Sequence, residues 1–179
     1  MKLDPLFSVK DNQLYTIAGD AKVELNFSDV NDISVPCELN QKTIYKILVD
    51  QKTIEPEAEC YNEEYLASLR DFLKIMEEKN VFAVLCVKPE AVSDSADSAE
   101  VESYTACVKH ATRRIKDCVS LAGVWLTDDF AASGDDAKIS YLIDELVGKH
   151  AHYVYFASEK VLAKAKNLGE EYSSKTVLA

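Results

Sequence analysis

Three apolar runs, each preceded by a stretch with helical spacing, constrain this chain more than any other feature. Residues 81–87 (Val-Phe-Ala-Val-Leu-Cys-Val) and 153–157 are apolar at every position, and residues 119–126 nearly so. A strand with one wet face alternates with period two, so such runs mark strands buried on both sides. Strands of that kind separated by helices imply a parallel sheet with both faces covered. The expected fold is α/β: a parallel sheet of about five strands with covering helices, preceded by a small β-hairpin. That pattern fits a half or incomplete TIM barrel and an open doubly wound sheet equally. In either case chemistry gathers at the carboxyl ends of the strands.

Length and composition narrow the function. With 179 residues and 47% of them hydrophobic, the chain suits a single domain, 1–179, with a proper core. The formal charge is −11, from 20 Lys and Arg against 31 Asp and Glu. An acidic surface repels phosphate backbones and anionic lipid, so no nucleic acid and no membrane is expected as a partner. A carbohydrate or a protein fits better. The five cysteines are odd in number and lack Cys-x-x-Cys spacing, which suggests free thiols in a reducing compartment. With no membrane-length apolar run and no signal-peptide core at the amino terminus, a cytoplasmic location is expected.

Along the chain, residues 1–28 read as a hairpin plus the first strand. Residues 14–17 and 22–27 would be its arms, around a turn at 18–20. Residues 29–43 are ambiguous, with Pro36 as a helix breaker and a short helical turn from Cys37 to Lys42. Residues 44–49 read as a strand ending at Asp50, and 51–61 as a polar loop. The clearest helix spans 62–79, capped by Asn62, with Tyr65, Leu66, Leu69, Phe72, Leu73 and Met76 on one stripe. Residues 89–98, with their Ser-Asp-Ser-Ala-Asp-Ser run, read as a flexible acidic loop. Helices are expected over 99–117, from about 133 with Gly148 as a C-cap, and over 159–168. Residues 176–178 would add a short edge.

If the sheet is parallel, Asp50, Lys88, Asp128, Asp129, Ser158 and Glu159 share its carboxyl rim, with Glu24 and Asn26 joining from the opening strand. Two carboxylates in different environments can act as acid and base or as nucleophile and acid. The catalytic candidates are therefore Asp129 as acid/base with Asp50 or Glu159 as the second carboxylate. Trp125 is the candidate stacking platform, and Lys88, Asp128 and Asn26 are candidate substrate contacts. Adjacent Asp128 and Asp129 leave an extended backbone on opposite sides, so they do not form that pair alone. His110, His150 and His152 lack metal-ligand spacing, and no Gly-rich phosphate loop follows a strand, so no metal and no cofactor is expected.

The order of segments resembles the first half of the cellulase-type TIM-barrel glycoside hydrolases. Residues 7–15, then 19–27, are similar to that group's amino-terminal hairpin and first strand. Tyr61-Asn62-Glu63-Glu64-Tyr65-Leu66 before a long helix, followed by 81–85, resembles its second helix and third strand. Residues 110–117 followed by Ala122-Gly123-Val124-Trp125-Leu126-Thr127-Asp128-Asp129 resemble the helix and fourth strand that end in the family's Asn-Glu. The likeness covers about residues 7–130. It places Asp129 at the acid/base position, with a shorter side chain, and Lys88 where the family often has a histidine. The family's nucleophile comes from a later strand, and a full barrel needs about 250 residues. The resemblance thus implies a truncated or decayed relative.

Three function classes follow. The favoured expectation is a non-catalytic glycoside-hydrolase-like domain that binds carbohydrate or protein and covers its open sheet edges as a homodimer. The second is a small glycosidase-like enzyme using Asp129. The third is a flavodoxin-like regulatory domain, although the acidic pair such a domain needs after its first strand is replaced by Asn26-Phe27-Ser28.

Overall fold

Turn chemistry at the amino terminus decides where the chain first reverses. Asp11 and Asn12 both adopt positive φ, at 51° and 57°, the conformation of a two-residue type I′ hairpin turn. They join β1 (Phe7–Lys10) to antiparallel β2 (Gln13–Thr16). The hairpin therefore lies earlier than the 18–20 turn predicts, within the stretch 7–15 that carries the family resemblance. The positive-φ pair matches the twist of its flanking strands, which the predicted turn would not improve on. Residues 22–27 make no second arm. They contribute one bridge, Tyr15 to Lys22, before the first parallel strand, β3 (Phe27–Val30).

The coordinates are a computed structural model that describes residues 3–35 and 38–179. Met1, Lys2, Pro36 and Cys37, which enter the expectations for the amino terminus, the helix break and the cysteines, lie outside the described residues. After β3 come β4 (Ile44–Asp50), α1 (Gln51–Ile54), α2 (Glu63–Glu78), β5 (Phe82–Lys88), α3 (Ala99–Arg114), β6 (Leu121–Leu126), α4 (Asp128–Ala131) and α5 (Ala137–Val147). The chain closes with β7 (Val154–Ala157), α6 (Glu159–Leu168), α7 (Glu170–Ser173) and β8 (Thr176–Leu178). The loop expected over 51–61 thus begins with a helical turn. Gly148 closes α5 with φ −55° rather than as a left-handed cap.

Local chemistry sets the helix starts. Asn62 accepts a hydrogen bond from the Tyr65 amide at 3.0 Å, Ser98 from Val101 at 3.2 Å and Ser158 from Val161 at 3.4 Å. Each satisfies an amide that the first helical turn leaves free.

Strands β3 to β8 pair in parallel and in sequence order. A doubly wound sheet reverses its strand order at a switch point, and this sheet does not. Sequential parallel winding with helical crossovers is the winding of a TIM barrel, which has eight strands when closed. Period-two alternation divides the sheet between two cores. Tyr45, Ile47 and Val49 of β4, with Ala83, Leu85 and Val87 of β5, face outward to buried residues of α1 through α6. Ile44, Val84, Ala122, Val154, Phe156 and Val177 face inward, where the cover is not helical. Phe7 and Leu14 of the hairpin pack there, with Val9, Val23 and Leu25 beside them.

The arm is also fastened to the last strand. The Asn12 side-chain amide donates to the carbonyls of Ser173 and Thr176, at 2.8 and 3.0 Å. The Leu178 amide donates to the Asn12 carbonyl at 2.9 Å. One sheet edge thus has its backbone engaged by the hairpin turn, whereas Ser28 and Asp29 on the β3 edge are exposed. A register shift between Ala83 and Val84 places an extra β6 residue, Ala122, against β5. From there Gly123 pairs with Val84 and Trp125 takes the inward parity.

The acidic loop 89–98 is docked. Ser93 O accepts from buried Lys138 Nζ at 2.6 Å, and Asp94 O accepts from the Asp135 amide at 2.7 Å. Gly134, at φ +66°, lies so near Asp94 that a Cβ there would sit 2.3 Å from its Cα.

Candidate functional site

The carboxyl rim is built by the parallel strands, and most of the predicted residues meet it. Asp50 and Lys88 end β4 and β5 opposite one another in register, and both are exposed. Asp128 and Asp129 follow β6 in the first turn of α4, which Thr127 caps by accepting from the Phe130 amide at 3.3 Å. The pair is therefore helical rather than extended. Glu159 opens α6, just past β7. Ser158 Oγ donates to Asp128 Oδ1 at 2.6 Å, tying the two strand ends together.

Asn26 does not join this rim. It precedes β3 at the opposite end of the sheet, where its carbonyl accepts from the Ile44 amide at 2.8 Å. With Glu24 it lines a cavity of about 380 Å³ beside Phe7, Thr43 and Phe82. The displacement follows from the strand beginning at Phe27 rather than at Lys22.

Trp125 is half-buried on the inner face. Phe27 meets it edge-on with centroids 5.3 Å apart, and Phe156 lies nearly parallel at 6.3 Å. Lys46 Nζ stands 3.6 Å from the indole centroid, a cation–π contact reaching across β5. One face of the ring is therefore engaged by the protein's own ammonium group.

Sequence reasoning missed Lys46, Asp29 and the placing of Cys86 among charges. The available signal was parity: Ile44, Lys46, Leu48 and Asp50 share one face of β4, and Val84, Cys86 and Lys88 one face of β5. A lysine in the middle of an otherwise apolar strand marks a break in the inner core. Burial pushes the Cys86 thiol up to about 11, Lys46 and Lys88 oppose that rise, and Asp29 and Asp129 add to it. Charges of both signs thus act on the thiol electrostatically. Cys86 is 2% exposed, a core thiol.

Asp50 occupies an N-cap position, and Asp128, Asp129 and Glu159 lie in first turns, where the helix dipole favours negative charge. Asp50, Asp128, Asp129 and Glu159 are all exposed. Among the described residues, no group of three or more His, Cys, Asp or Glu is placed to hold a metal ion. No helix of the described residues is long and apolar enough to cross a membrane.

The comparisons with known proteins agree with this architecture. No family model and no curated protein matches the chain. Among solved structures, endo-glycoceramidase II from Rhodococcus sp., in a cellobiose-like isofagomine complex, superimposes with a TM-score of 0.60 at 10% identity. That match covers 86% of this chain and 52% of the other. An endocellulase from Pyrococcus horikoshii, in complex with cellotetraose, gives 0.58 at 9% identity, covering 86% and 56%. The chain spans about half the length of these two structures. The resemblance read in the sequence thus holds at the level of the fold: a glycoside-hydrolase-like α/β sheet, with barrel-forming neighbours.

Proposed function

We propose that the chain is a non-hydrolytic, glycoside-hydrolase-like domain whose carboxyl rim binds a neutral carbohydrate. The observation that carries this reading is the rim itself, where Asp50, Lys88, Asp128, Asp129 and Glu159 stand exposed at the carboxyl ends of parallel strands. Ser158 joins two of these strand ends through its bond to Asp128. Such a rim offers carboxylate acceptors and an ammonium donor for the hydroxyl groups of a sugar. Its position at the strand ends is where this winding places ligands. The cellotetraose and cellobiose-like complexes of the two solved structures suggest a β-linked oligosaccharide as the first probe.

What favours binding over hydrolysis is the setting of the carboxylates. Glycoside hydrolysis pairs a carboxylic acid, kept protonated by its surroundings, with an ionised partner across the scissile bond. Here the acidic groups are solvent-facing rather than enclosed, and Asp128 is bonded to Ser158.

The test titrates cellotetraose and a panel of neutral glycans against the wild type and Asp129→Asn, with reducing ends measured in parallel. The expected result is glycan binding by the wild type, weakened about tenfold by Asp129→Asn through loss of one charge-assisted hydrogen bond, and no release of reducing ends by either. Release by the wild type that Asp129→Asn abolishes would make the domain an enzyme. Failure to bind any glycan would remove the carbohydrate reading.

A further inference from the structure

The far end of the sheet carries the opposite electrostatic character. A cleft of about 680 Å³ opens there, below the starts of β6 and β7. Lys109 and Arg113 reach it from the last turns of α3, Lys116 from the connection into β6, and Lys149, His150 and His152 from the connection between α5 and β7. Among the described residues, no carboxylate lines it, in a chain whose formal charge is −11.

Lys109 pairs with Glu145, but among the described residues Arg113, Lys116 and Lys149 form no ion pair. Cations at the end of α3 suit its dipole. That accounts for Arg113, but not for Lys109, which precedes the last turn, for Lys149 or for the two imidazoles contributed by another connection. His150 is 2% exposed and stacks on Tyr153 with centroids 4.8 Å apart. Among the described residues its Nδ1 has no hydrogen-bond partner, and neither has His152 Nε2. Buried polar atoms are nearly always bonded, so this floor holds unmet hydrogen-bonding capacity beneath three unpaired cations.

We infer that this cleft binds a compact polyanion, an oligophosphate or a small molecule carrying several phosphate groups. The volume falls in the range of small-ligand sites and exceeds what one phosphate fills. The cleft gathers Lys109, Arg113, Lys116 and Lys149 on a molecule of formal charge −11, so an extended polyanion such as duplex DNA would meet net repulsion beyond its rim. A short, dense anion collects the cations without that cost. The site lies at the other end of the strands from the carbohydrate rim and does not depend on it.

Calorimetric titration of the full chain with inorganic tripolyphosphate tests the inference. The wild type should bind one ligand per chain. The double variant Lys116→Gln/Lys149→Gln changes exposed side chains only, so its unfolding temperature should hold. Its affinity should fall about tenfold or more, since charge-assisted bonds are lost. A matched control, Lys22→Gln/Lys160→Gln, removes the same charge elsewhere and should change affinity by no more than about twofold. No saturable binding, an equal loss in both double variants, or duplex DNA binding more tightly per phosphate than tripolyphosphate would each overturn the proposal.

Discussion

The two faces of one sheet are covered in different ways. The outer face is buried by helices whose apolar stripes repeat at helical spacing, Leu66, Leu69, Leu73 and Met76 on α2 and Ile139, Leu142, Ile143 and Leu146 on α5. The inner face is buried by an arm of irregular chain around a single hairpin, with Phe7 and Leu14 as its anchors. In a closed barrel, inward side chains from opposite strands fill that space. Here the amino-terminal arm occupies it, and Asn12 ties the arm to the β8 end. The outer face is therefore an assembly of many similar contacts, and the inner one depends on a few particular residues. A close approach of two strands or one anchor leucine should matter more on the inner side.

The largest effect is expected at Gly123. A Cβ there would sit 1.7 Å from the Val154 carbonyl oxygen, which is backbone and cannot turn aside. Gly123→Ala should force β6 and β7 apart, at a cost of about 4 kcal/mol or more and a drop of order 10 °C in unfolding temperature. Gly148→Ala is the matched control, because no atom lies within 4 Å of its Cβ position. Calorimetry showing equal effects at the two glycines would remove the distinction.

A smaller effect is expected from acid, and it enters through the outer layer. Burial, His152 and Lys116 lower the His150 pKa to about 4, against about 6.5 in an unfolded chain. The unfolded state therefore binds more protons between those values, and stability rises with pH across that window. The contribution is complete above about pH 6.5 and is lost as pH falls toward 4, amounting to ~1–3 kcal/mol. His150→Phe should flatten the pH dependence of chemical unfolding over that interval. An unchanged slope would show that His150 does not carry it.

The same contrast explains what could be read from the residues alone. Helices α2 and α6 and strands β4, β5 and β7 were legible because buried periodicity and caps such as Asn62 are local signals. The inner cover was not, because Phe7, Leu14 and Val23 are scattered singly and acquire meaning only once the sheet exists. The hairpin was misplaced because Asp11-Asn12 lacks the glycine that usually marks a type I′ turn, and that error carried Asn26 to the wrong end. The strand-end positions of Asp50, Lys88 and Asp129 followed from the β/α beat. The charges acting on Cys86 did not, since Asp29 and Lys46 share its face of the sheet only through strand parity and register. The bulge at Ala122 restores the inward parity of Trp125 and is invisible without coordinates.

The claim that the arm is an integral part of the fold is tested most directly with Leu14→Ala. Leu14 is fully buried against the inner face, and the chain's one tryptophan, Trp125, reports on that face, while far-ultraviolet circular dichroism reports on the outer helices. Followed by both signals in guanidinium, the wild type should unfold in one coincident transition, and Leu14→Ala should move both signals together by about 2–5 kcal/mol. A fluorescence transition that moves while the circular dichroism transition stays in place would contradict the account, because the helical layer would then stand without the arm.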